Sequence, residues 1–141
     1  MKKTAVIYWS GTGNTEAMAN AVLEGMKNAG AEADFLTPDQ VDPAAVSGYA
    51  AIAFGCPAMG DETLEEMDFE PMFSACKGRL AGKSVGLFGS YGWGSGDWMR
   101  TWEKDCDESN IGLAVPSVIC CETPDETALE ACRAMGKALA Q

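Results

Sequence analysis

Two segments of this chain are apolar without alternation: Ala5-Val6-Ile7-Tyr8-Trp9 and Ala50-Ala51-Ile52-Ala53-Phe54. A half-buried strand would alternate apolar and polar residues, so segments of this kind are expected to be covered on both faces. The first strand is placed over 3–9 and the third over 50–55. A weaker second strand falls at Glu32–Leu36 and a fourth at 84–89, read from Val85, Leu87 and Phe88. A last strand is read over 111–121, with Pro116 suiting an edge position or a bulge.

Helical spacing separates these strands. Met18, Ala19, Val22, Leu23 and Met26 mark a helix over 15–28, stopped near Gly30. Another helix covers Asp97–Glu108. Thr123-Pro124-Asp125-Glu126 reads as the start of a last helix, with Thr123 as cap and Pro124 in the first position. Alternating strands and helices imply a parallel sheet between helical layers, an α/β three-layer sandwich of five strands forming one domain over 1–141. In such sheets ligands bind beyond the carboxyl ends of the strands, where strand order reverses. The informative loops therefore follow strands one, three and four.

The chain has 141 residues, with 10 basic and 21 acidic side chains, a net charge of −11 and no histidine. That balance argues against a nucleic-acid partner and against an anionic membrane surface. The missing histidine removes Ser-His and Cys-His nucleophiles and imidazole metal sites. None of the six cysteines forms a C-x-x-C pair, so an iron–sulfur or zinc site is unsupported. The N-terminal apolar run is too short for a secretory signal, and no segment reaches the ~18 apolar residues of a membrane span. A cytoplasmic protein with reduced thiols is expected, Cys120 and Cys121 pointing to opposite faces of their strand.

The first loop, Ser10-Gly11-Thr12-Gly13-Asn14-Thr15, combines hydroxyls, an amide and glycines at a helix N-terminus. Free backbone N–H groups there favour an anion. It lacks the G-K-[ST] of a Walker loop, and Glu16 occupies the third glycine of a dinucleotide fingerprint. Phosphate held by backbone and hydroxyl donors is the expectation. The second loop, Cys56-Pro57-Ala58-Met59-Gly60-Asp61-Glu62, offers a soft apolar side chain in Met59. Its Gly60–Asp61 peptide is free to change turn type. Taken alone, Met59 reads as core. The third loop, Ser90-Tyr91-Gly92-Trp93-Gly94-Ser95-Gly96, sets a Trp between glycines, a platform for a planar ligand. Trp98 and Trp102 read as core or pocket wall. A phosphate cup beside a slot for a flat ring, without catalytic side chains, points to flavin mononucleotide, FMN.

With these motifs the sequence resembles the short-chain flavodoxins, especially those of clostridia and related anaerobes. The matching segments are 7–16, 55–62 and 87–94. The resemblance implies strand order 2-1-3-4-5. It implies a low-potential one-electron carrier that substitutes for ferredoxin, using non-covalent FMN between its hydroquinone and neutral semiquinone forms. Ser10, Thr12, Asn14 and Thr15 hold the phosphate, with Gly11 and Gly13 shaping the loop. Met59 and Trp93 lie on the inner and outer faces of the isoalloxazine. Glu62 accepts from N3–H, and the Gly60 carbonyl turns toward N5–H on reduction. Ala58, Asp61, Ser90, Tyr91, Gly92 and Trp98 complete the expected surroundings. The alternative is an FMN-dependent quinone or nitro reductase of the same fold, which needs an open flavin face that Trp93 would block.

Asp61, Glu62, Glu65, Glu66, Asp68 and Glu70 put six acids into ten residues. By itself such a run is the solvated face of a helix. Beside a flavin, each charge at ~10 Å contributes up to about 1–2 kcal/mol against the anionic reduced ring at an effective dielectric near 20, and less after screening. The same charges would steer the protein toward basic patches on redox partners. A monomer is expected.

Overall fold

The computed structural model describes residues 2–60, 62–92 and 94–141. Five parallel strands form one sheet: β1 (Lys3–Tyr8), β2 (Glu32–Leu36), β3 (Ala51–Gly55), β4 (Ser84–Tyr91) and β5 (Val118–Cys121), in the order β2-β1-β3-β4-β5. The helices are α1 (Asn14–Asn28), α2 (Phe69–Cys76), α3 (Asp97–Glu108) and α4 (Glu126–Ala140). The doubly wound α/β sandwich and its strand order are as expected from the sequence.

The unbroken apolar strands are explained by two cores. Ala5, Ile7, Ile52, Phe54, Val85 and Leu87 face α2 and α3, meeting Phe69, Phe73, Trp98 and Trp102. Val6, Ala51, Ala53 and Phe88 face the other way, onto Met18, Val22 and Met26 of α1 and Cys132, Met135 and Leu139 of α4. On that second face α1 and α4 cross at their glycines. A Cβ at Gly25 would strike the Arg133 carbonyl, and one at Gly136 would strike the Val22 carbonyl.

Several elements depart from the sequence reading. The last strand is four residues long and pairs with β4 only from Phe88↔Val118 onward. Residues 111–117 are irregular, apart from the bridge Val85↔Leu113. Pro116, which has no N–H for the ladder, lies just before the paired strand. The last helix is capped by Asp125, whose side chain accepts from Ala128 N–H at 2.8 Å, and not by Thr123. Asp125 lies next to the first helical residue, where a cap must be; Pro124 precedes it. β4 continues to Tyr91, so Ser90 and Tyr91 belong to the strand. Cys120 and Cys121 do alternate: Cys120 faces Met18, its Sγ 3.6 Å from Met18 Sδ, and Cys121 is exposed. All six cysteines are free thiols. Among the described residues no helix is long and apolar enough to cross a membrane.

Candidate functional site

The sheet order reverses between β1 and β3, and the loops leaving β1, β3 and β4 meet above that point. They enclose a cleft of about 350 Å³. Ser10, Gly11, Thr12, Asn14 and Thr15 line one side, Ala58 and Met59 another, and Ser90, Tyr91 and Gly92 the third. Trp9, Pro57 and Glu122 also line it. Glu122 follows β5, a strand end that the sequence reading left out. Its backbone takes φ 60 and its N–H donates to the Tyr91 carbonyl at 2.7 Å.

The first loop is organised by one hydroxyl. Ser10 Oγ accepts from Gly13 N–H at 3.1 Å and from Glu16 N–H at 3.2 Å. Gly13 caps α1 with φ 98, a left-handed conformation suited to glycine. The backbone N–H groups of Gly11, Thr12, Asn14 and Thr15 have no acceptor among the described residues. Four uncommitted donors at a helix N-terminus make an anion cradle without any cationic side chain. The cradle is tied to the sheet by Thr15, whose hydroxyl lies 3.3 Å from the Ser90 hydroxyl and accepts from Ser90 N–H at 3.4 Å.

The second loop is a tight hairpin. Met59 N–H donates to the Thr63 carbonyl at 2.9 Å, and Glu62 N–H returns to the Met59 carbonyl at 2.7 Å. Gly60 is exposed at the apex, and a Cβ there would meet nothing within 4 Å. Its φ is not positive in this structure. Glu62 carries the strain instead, with φ 55. Its Oε1 is buried and has no hydrogen-bond partner among the described residues. That oxygen lies against Gly94, where a Cβ would come within 2.0 Å of it, and a buried acceptor left open fits an N–H donor supplied by a ligand. Glu62 itself borders a larger cleft of about 780 Å³ against α3.

Glu65 is not part of a solvated face. It is 5% exposed, and its carboxylate accepts from the N–H groups of Met67, Asp68 and Phe69, each at 2.8 Å. Burial pushes this carboxyl up, but the three amides outweigh it and hold it below the usual glutamate value. Of the other acids in the run, Glu66, Asp68 and Glu70 are exposed. Of these three, only Glu70 lies within a helix, because α2 starts at Phe69. The spacing Phe69, Met72, Phe73 and Cys76, with Pro71 in the first turn, is the signal that would have found α2.

Trp98 lies under the third loop and not in the cleft wall. It is 1% exposed, donates from Nε1 to the Cys56 carbonyl at 3.1 Å, and supports Tyr91 with ring centroids 5.6 Å apart. Cys56 is an inert thiol, pushed up to about 12 by burial. Arg100, which the sequence reading passed over, clasps the end of the third loop. It donates to the Ser95 carbonyl at 2.8 Å and to Asp97 Oδ1 at 2.7 Å, and holds the Asp97 carboxyl below its usual value. Asp61 and Trp93, both expected at the ligand, lie outside the described residues. Among the described residues no group of three or more Cys, Asp or Glu side chains could hold a metal.

The fold and these loops define a doubly wound α/β protein with a mononucleotide-type cleft at its switch point. Residues 6–136 match the family model described as Flavodoxin. The chain is 42% identical over 139 residues to a flavodoxin of Megasphaera elsdenii, covering 96% of this chain and 97% of that one. It is 38% identical over 135 residues to a flavodoxin of Clostridium beijerinckii, at 96% and 97% coverage. The solution structure of two-electron reduced Megasphaera elsdenii flavodoxin superposes with a TM-score of 0.89, covering 97% of this chain and 98% of that one. The chain belongs to the flavodoxin family and is accordingly an FMN-binding electron-transfer protein, not an enzyme.

Proposed function

We propose that this chain is a low-potential one-electron carrier that takes the place of ferredoxin, cycling its flavin between the one-electron-reduced and fully reduced forms. The observation that carries the reading is an anion cradle at the switch point, together with an unpartnered buried acceptor on the neighbouring second loop. The first is formed by the free N–H groups of Gly11, Thr12, Asn14 and Thr15; the second is Glu62 Oε1. An FMN phosphate matches the cradle and its ring N3–H matches Glu62.

Bound FMN supplies the one-electron chemistry. Ser10, Thr12, Asn14 and Thr15 bind the phosphate, with Gly11 and Gly13 giving the backbone its close approach. Met59 covers the inner ring face and Trp93 the outer. Ala58, Gly60, Asp61, Ser90, Tyr91 and Gly92 surround the ring, and Trp98 backs Tyr91 from beneath. The Gly60 carbonyl, at the exposed apex, would be free to turn and accept a hydrogen bond from a ring N–H. The exposed Glu66, Asp68 and Glu70 disfavour further negative charge on the ring and attract partners with basic docking patches. The protein acts in the cytoplasm as a monomer.

The test is electron delivery to or from a ferredoxin-dependent oxidoreductase. Support of turnover in place of ferredoxin, with a rate that falls as salt rises, is expected. Failure to exchange electrons, or a rate indifferent to salt, would contradict the proposal.

A further inference from the structure

The hairpin that presents Met59, Gly60 and Glu62 is pinned at both ends. At its near end Ala58 N–H donates to the Ser90 carbonyl at 3.0 Å. At its far end everything converges on Glu65. Its own N–H donates to Cys56 Sγ at 3.4 Å, at the end of β3. Its Oε2 accepts from Met67 N–H, and its Oε1 accepts from Asp68 and Phe69 N–H, all at 2.8 Å. No cation pairs with it among the described residues. One buried residue thus joins these parts: its backbone N–H ties to the strand end, and its carboxylate ties the base of the hairpin to the start of α2. Charge-assisted bonds to an anion are the strong class of hydrogen bond, and three on one group fix its neighbours in place.

We propose that Glu65 is the positioning residue for the flavin-facing hairpin. It holds the hairpin base so that Met59 and Glu62 are preorganised for the ring and movement is confined to the Gly60 apex. The inference rests on the FMN reading above. It carries a distinctive signature. The phosphate cradle hangs on Ser10 and on the Thr15–Ser90 contact, neither of which touches Glu65. Loss of Glu65 should therefore weaken ring binding and leave the phosphate contribution intact.

The experiment compares FMN and riboflavin affinity, by flavin fluorescence quenching, in the wild-type chain, Glu65→Gln and Glu65→Ala. Hydrogen exchange at the amides of residues 67–69 is read in parallel. In Glu65→Ala both affinities should fall by about tenfold or more, with their ratio preserved within about twofold. Glu65→Gln keeps an oxygen for Asp68 and Phe69 but turns an NH₂ toward the Met67 N–H, so it should fall between, with faster exchange. Wild-type affinity in Glu65→Ala despite faster exchange would overturn the proposal and leave Glu65 a helix cap alone. A changed FMN-to-riboflavin ratio would overturn it too, because the damage would then reach the cradle. If Glu65→Ala does not fold, Glu65→Gln decides alone: an equal loss for both flavins supports the proposal, and no loss overturns it. A wild-type chain that binds neither flavin would contradict the FMN reading itself, and the proposal with it.

Discussion

The hydroxyls of Thr15 and Ser90 lie 3.3 Å apart, joining the first turn of α1 to the end of β4 across 75 positions of sequence. Both residues are buried, and Ser90 N–H also donates to Thr15 Oγ1. Thr15→Val keeps the shape and removes both contacts, leaving a buried donor and hydroxyl unpaired. A loss of about 1–3 kcal/mol is expected in urea unfolding, together with weaker FMN binding. An unchanged unfolding midpoint would contradict this role.

The crossing of α1 and α4 reverses an ordinary rule. Replacing a mid-helix glycine with alanine normally stabilises by about 1 kcal/mol. At Gly136 the new Cβ meets the Val22 carbonyl, so the helices must separate. Gly136→Ala should destabilise by about 1–3 kcal/mol. Greater stability of this variant would show that the crossing is not tight.

Glu65 makes stability depend on acidity. Its folded-state carboxyl is held below the ordinary glutamate value by three amides, although burial opposes this. A depressed folded value means that its contribution is complete above the ordinary carboxylate range. The contribution is lost as pH falls through the depressed value. Stability should therefore drop on the acid side, and Glu65→Gln should be less stable at neutral pH with a flatter acid limb. Parallel pH profiles for the two proteins would refute the assignment.

Much of this was legible in the sequence, and the reasons differ by element. β1 and β3 were clear because strands buried between two helical layers carry no polar interruptions. The cradle was clear because hydroxyls and glycines at a strand-to-helix junction have few other uses. β5 was overextended because residues 111–117 hold the apolar residues Ile111, Leu113 and Val115 but pair only at Leu113. Periodicity does not distinguish a packed irregular segment from a ladder. Glu65 reads as a surface charge in the sequence because nothing local reveals that its carboxylate folds inward onto three amides. Glu122 has no local signal in the sequence, because its place at the cleft depends on β5 lying beside β4.

Gly60 tests the turn. A Cβ there meets nothing within 4 Å, and its φ is not positive, so alanine fits the described conformation. Alanine does restrict the alternative turn that would redirect the Gly60 carbonyl. Gly60→Ala should bind oxidised FMN about as well as wild type but accumulate less of the one-electron-reduced form. Potentials identical to those of wild type would refute a moving peptide.

Anaerobic photoreduction of the FMN-loaded protein, followed by absorbance, decides whether this protein passes electrons singly. One FMN per chain is expected, with a blue one-electron-reduced flavin that accumulates at partial reduction and persists. Direct passage from the yellow oxidised form to the two-electron-reduced form, with rapid turnover on NADPH, would contradict it.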